Sequence, residues 1–174
     1  MKRILSVTMF GACLLTVSPV SRAQDCSSMT NWDLRGTYTM SGSGYVDPSK
    51  LFPGLGLAPG PVPMFWVGAH TWDGTGGGTG WVTINSGGNQ MTAQIVATKY
   101  SINTNPDLPC AIHASFSMQI KALGITVGPF QRILVPSGKP DSLELHMIFE
   151  GTPLGAAPVA GFDIGVERRI SMQY

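Results

Sequence analysis

The chain has 174 residues, of which 11 are Lys or Arg and 10 are Asp or Glu, for a formal net charge of +1. With charge so sparse and no basic run, nucleic acid is excluded as a partner, because phosphate binding needs a cluster of Lys and Arg. The length suits one domain with a sizeable core.

In chain order, the first element is a leader. Met1-Lys2-Arg3, an apolar run and small residues at Ser21 and Ala23 describe a secretory signal peptide over residues 1–23, cut after Ala23. The run is too short, and too interrupted by Ser, Thr and Gly, to span a bilayer as a helix. Lipoprotein processing at Cys13 is the alternative; it puts Phe10 where leucine is usual and leaves LLTVSPV after the cut. The expected mature chain, residues 24–174, is a single exported domain, periplasmic or extracellular, with no integral membrane segment. Losing Lys2, Arg3 and Arg22 leaves eight basic residues against ten acidic ones, a net of −2. Cys26 and Cys110 remain, and an even pair in an exported chain reads as a disulfide. Closing so long a loop stabilises by about 4–5 kcal/mol in the chain-entropy model. A redox role is disfavoured because neither cysteine sits in a Cys-x-x-Cys motif.

Beyond the leader, hydrophobic periodicity is two rather than 3.6. Eight strands are expected, at 36–45, 64–72, 79–85, 91–103, 110–122, 125–135, 142–150 and 162–170. NSGGNQ (85–90) and PSGKPD (136–141) carry the turn chemistry of hairpins. Eight sequential strands with short links predict an all-β, up-and-down antiparallel barrel, with a two-sheet β-sandwich as the alternative. Two connections are longer. The first, 46–63, carries Leu51, Phe52, Leu55 and Leu57 among prolines and glycines, and 151–161 has similar character. Apolar side chains in such loops are costly to leave in water, so the first is expected to pack over a barrel mouth as a lid.

The glycine-rich stretch GAHTWDGTGGGTGW (68–81) invites a phosphate-loop reading, but its spacing fails. Thr79 stands where G-x-G-x-x-G from Gly74 needs glycine, and Trp81-Val82 follow where a Walker motif needs Lys and Ser or Thr. Asp73-Gly74 instead signals a hairpin, and the surplus glycine permits a bulge at a barrel corner.

GTYTMSGSG (36–44), VGAHTWDGTGGGTG (67–80) and YSINTNPDLPC (100–110) resemble a family of small exported bacterial proteins. Its pattern is G-x-Y, then V-G-x-x-x-F-D-G-x-G, then Y-x-V-N-x-D-C. That family is similar in turn to the allene oxide cyclase-like barrels of the calycin type. The chain departs from the pattern at Trp72, where phenylalanine is usual, and in its longer NTNPDLPC segment. The resemblance implies the eight-stranded calycin fold. Some members of the wider group are cyclases, but no catalytic residue of theirs maps onto this sequence, so fold carries over and activity does not.

Three histidines raise a zinc hypothesis, which strand register opposes. His113 shares a face with Ser115 and Ser117, and His146 lies on the face of Glu144 and Glu150, so both should point to solvent. The family motif places apolar residues at His70 and Trp72, which implies that His70 points inward. A bulge between Val67 and Trp72 would reverse it. Its readings are a hydrogen-bonded core histidine or a cavity residue that binds or protonates a ligand. Arg168 shares the register of Phe162, Ile164, Val166 and Ile170, so it either snorkels at the barrel end or clamps a ligand carboxylate. Glu144 and Glu150 are too far apart to act on one bond, and no G-x-S-x-G elbow appears.

The expected cavity residues are Tyr38, Met40, His70, Trp72, Trp81 and Arg168, with Trp66 in the same hairpin. His70 and Tyr38 are the weak catalytic candidates. Metal and cofactor are expected absent. The leading expectation is an exported barrel that binds an apolar or aromatic small molecule. One alternative is a cyclase or isomerase that works by positioning a flexible lipophilic substrate. Another is an envelope or surface interaction protein with a filled barrel and an exposed loop patch. Oligomerisation is left open.

Overall fold

A computed structural model describes residues 28–52, 56–102, 110–151 and 161–171. The leader, Cys13, Cys26 and Leu55 lie outside the described residues. The eight expected strands are present: β1 (Gly36–Val46), β2 (Val62–Trp72), β3 (Gly77–Ser86), β4 (Asn89–Ile102), β5 (Ile112–Ile120), β6 (Ile125–Ser137), β7 (Glu144–Gly151) and β8 (Gly161–Ser171). Each pairs antiparallel with the next, and β8 returns to β1 to close the barrel. Closure excludes the sandwich and leaves no edge strand exposed.

Alternation decides what fills the interior. Along β3, Val82 and Ile84 are buried while Trp81 and Asn85 are exposed; along β5, Ala114, Phe116 and Met118 point in. In β4 the alternation breaks. Counting on from Ala93 and Ile95 would turn Ala97 and Lys99 inward. Instead the β4–β5 ladder shifts between Val96 and Lys99, with Ala97 at φ 53°, and Thr98 and Tyr100 become the buried pair. One extra residue thus keeps a lysine out of the core. No such shift interrupts β2 against β1 or β3, so His70 stays inward.

The glycine-rich hairpin of residues 73–76 is a turn. The Asp73 carboxylate accepts from the backbone N–H groups of Thr75 (2.7 Å) and Gly77 (2.9 Å), and the Gly74 N–H donates to the Tyr100 hydroxyl. Burial pushes the Asp73 pKa up, but these backbone N–H groups outweigh it and hold it below its ordinary value. At the same end a 3-10 turn, Asn31–Leu34, closes the barrel with Leu34 fully buried.

At the other end, helix α1 (Pro48–Leu51) breaks the long β1–β2 connection. Asp47 caps it through the Ser49 N–H, and proline stands at its first position. The helix delivers Phe52 into the core.

Cys110 is 8% exposed. No helix among the described residues is long and apolar enough to cross a membrane.

Candidate functional site: a cavity above a buried polar belt

Three levels follow one another along the barrel. Along β6 they read Phe130, Arg132, Leu134, all inward and all buried. Leu134 belongs to the closed end, packed with Leu34, Tyr38, Trp72, Tyr100, Ile112 and Leu143. Arg132 belongs to a polar belt. Phe130 faces a cavity of about 440 Å³ that opens at the α1 end.

Apolar side chains form the cavity walls: Met40, Val82, Ile84, Ile95, Phe116 and Met118. Its mouth is made by Val46, Met64 and Met91 with Leu51, Phe52, Leu57 and Ala58 of the long connection. Phe52 is buried, Leu51 partly so, and Leu57 is 41% exposed. Trp66, Arg132 and Asp163 form the floor. The volume falls within the range of small-molecule sites, about 300–1,000 Å³.

Glu167 centres the belt and is fully buried. It accepts from the Trp72 indole N–H at 2.8 Å and from an Arg132 Nη. The Arg132 guanidinium also lies over the Phe116 ring at 4.6 Å and the Trp66 ring at 5.8 Å. Burial alone would push the Glu167 pKa up. Arg132, His70 and the Trp72 N–H outweigh it and hold the carboxyl below its usual value, so it is ionised at neutral pH. The Trp66 indole N–H donates to Asp163 Oδ2 at 2.7 Å.

Glycine admits the large Trp66 ring to this level. A Cβ on Gly42 would stand 2.2 Å from Trp66 Cζ2, and one on Gly165 would stand 2.7 Å from the same ring. These two glycines pair across β1 and β8.

His70 is buried below the floor, with Nε2 3.3 Å from Thr98 Oγ1 and its ring 4.3 Å from that of Trp72. Its Nδ1 stands 3.7 Å from Glu167 Oε1, longer than a hydrogen bond but close enough to act through charge. Tyr38 is a structural phenol. Its hydroxyl donates to the Leu34 carbonyl and accepts from the Arg169 guanidinium, which also reaches the Asp33 carbonyl. Burial pushes the Tyr38 pKa far up, more than Arg169 lowers it.

Of the six expected cavity residues, Met40 lines the cavity, while Tyr38, His70 and Trp72 lie beneath it in the belt and the closed end. Two expectations are corrected. Trp81 is 50% exposed on the outer face, where it pairs with Ala69 and Gln94. Arg168 also lies outside, and its Nε donates to Glu144 Oε1 at 2.9 Å. The reason is an inverted register in β8. Ile164 and Ile170 are exposed, and Asp163, Glu167 and Arg169 are buried. Glu167 sits opposite Met40, and Arg169 opposite Tyr38, both inward residues of β1. His113 is exposed, and His146 lies at the surface against Ser137 and Glu144. Among the described residues no group of three or more His, Cys, Asp or Glu side chains is placed to hold a metal.

The floor residues Arg132 and Asp163 were not singled out from sequence. The signal was an arginine in QRILV, on the same alternation as Phe130 and Leu134. Compared with known families, characterised proteins and solved structures, the chain matches none.

Proposed function

We propose that this protein is an exported carrier or receptor barrel that holds an apolar or aromatic small molecule in the cavity. The observation that carries the reading is a space of about 440 Å³ with almost entirely apolar walls and mouth, in a barrel whose opposite end is packed shut. At about 30 Å³ per methylene-sized group, taken from the volume a water occupies, it has room for roughly fifteen such groups. Residues 51, 52 and 57 of the long connection act as the lid. Cleavage after Ala23 and a Cys26–Cys110 bond belong to the same reading, as does membership of the allene oxide cyclase-like barrels.

The cyclase or isomerase reading has less support, because neither His70 nor Tyr38 lines the cavity. The surface-interaction reading asks for a filled barrel, and the cavity weighs against that. Native mass spectrometry on protein secreted from its own pathway, repeated after denaturation, tests the proposal. A small mass carried natively and lost on denaturation is expected. A bare polypeptide that no lipophilic compound stabilises against heat would overturn it.

A further inference from the structure

Sulfur is concentrated at the cavity. Six methionines lie among the described residues, and four of them, Met40, Met64, Met91 and Met118, line it. They come from four strands, β1, β2, β4 and β5. Met40 and Met118 are buried inside the barrel, while Met64 and Met91 are half-buried at the mouth, so a ligand meets thioethers at both levels. A wall that only buries an alkyl chain needs no sulfur, because Leu, Val and Ile bury apolar surface equally well. A thioether differs in being polarizable, and it attracts an aromatic ring, often at the ring edge, with the sulfur about 5 Å away. Met40 leans over the neighbouring strand instead of across the cavity. Gly68, its partner on β2, leaves the room: a Cβ there would stand 2.8 Å from Met40 Cε. Two rings line the same space. Phe116 and Phe130 pair across β5 and β6 with centroids 5.5 Å apart and planes 32° from parallel. A flat ring in the cavity would meet both thioethers and ring faces, and either contact adds to what area burial alone supplies.

We propose that the cavity prefers flat aromatic molecules to saturated ones of the same carbon skeleton, and that its four thioethers supply much of the preference. The inference rests on the binding reading above and gives it a ligand class. The apolar walls hold either kind of molecule, and the sulfurs discriminate between them.

The test is displacement of Nile red, a neutral fluorescent lipophile, by naphthalene and by decalin, which share one fused-ring carbon skeleton. Each dissociation constant is divided by the compound's partition between hexadecane and water, which removes the difference in bulk hydrophobicity. So corrected, naphthalene should bind about tenfold more tightly than decalin. Protein in which norleucine replaces every methionine keeps the length and flexibility of those side chains and loses only their sulfur. There the preference should fall about threefold or more, the two phenylalanine rings keeping the rest. Met64→Leu with Met91→Leu, at the half-buried mouth, should lower it about twofold and serves if the norleucine protein does not fold. Decalin binding as tightly as naphthalene in the native protein would overturn the aromatic preference and leave the binding reading standing. An unchanged preference in folded norleucine protein, or in the double variant, would overturn the role of the thioethers. Failure of Nile red and both hydrocarbons to bind would overturn both readings together.

Discussion

The two ends of this barrel use the same alternation and reach opposite results. At the closed end the inward residues are large and interlocked: Trp72 meets Tyr100 edge-on at 4.7 Å, and Leu34 descends from the 3-10 turn to fill what remains. At the open end the inward residues, Met40, Val82, Ile84, Ile95, Met118, Phe116 and Phe130, surround a cavity instead of filling it, and a loop covers its mouth. The belt between them separates the two. A buried ion pair with aromatic N–H donors cannot be displaced by solvent or ligand without stranding charge, so it fixes how deep a ligand can go. Packing at one end secures the fold, and the gap at the other is available for binding.

Breaking the belt should have the largest effect. Arg132→Met removes the cation paired with the buried Glu167 carboxylate, and losing one partner of a buried pair costs about 3–5 kcal/mol. Urea unfolding should show that loss as a lower midpoint with an unchanged slope. The belt also fixes the acid response. The Glu167 pKa is depressed in the folded state, so its contribution is fully present above the ordinary carboxylate range and is lost as pH falls through the folded value. Urea midpoints measured from pH 7 to pH 3 should therefore fall more steeply for the native protein than for Glu167→Gln.

Tyr38→Phe sharpens the account of the closed end. It removes the hydroxyl that joins Leu34 to Arg169 and should cost about 1–3 kcal/mol by leaving buried groups unpaired. Dye binding at the far end should not change. The smallest effects separate inside from outside. Leu57→Ser at the mouth should weaken Nile red binding severalfold while stability moves within about 0.5 kcal/mol. Trp81→Ser, on the outer wall, should alter neither. A Trp81 variant that lost binding would contradict the register of β3.

Much of the fold was legible in the sequence because strands half exposed to water alternate. All eight strands were placed within a few residues, and His113 and His146 were assigned to the outside from their neighbours alone. The position of Phe52 was legible for a related reason, since apolar side chains in a long loop need cover, and it is buried in the core. The β8 strand was not. Its apolar residues, Ile164 and Ile170, face water, while its charged ones face in. Alternation reports which residues share a face, and polarity normally tells which face is buried. That second step fails where the interior holds its own compensated charges. Arg132, Glu167 and the Trp72 N–H satisfy one another only after β2, β6 and β8 come together, and no local window contains all three. Trp81 failed more simply. It was grouped with its hairpin, although Val82 and Ile84 already marked the inward face.

The difference between the two ends can be measured most directly with xenon, which enters apolar cavities and leaves packed cores alone. Crystals pressurised with the gas should show it among Met40, Val82, Ile95 and Met118, with none between Leu34, Tyr38 and Trp72. An interior without xenon at the open end, or one that takes it equally at both, would contradict the account.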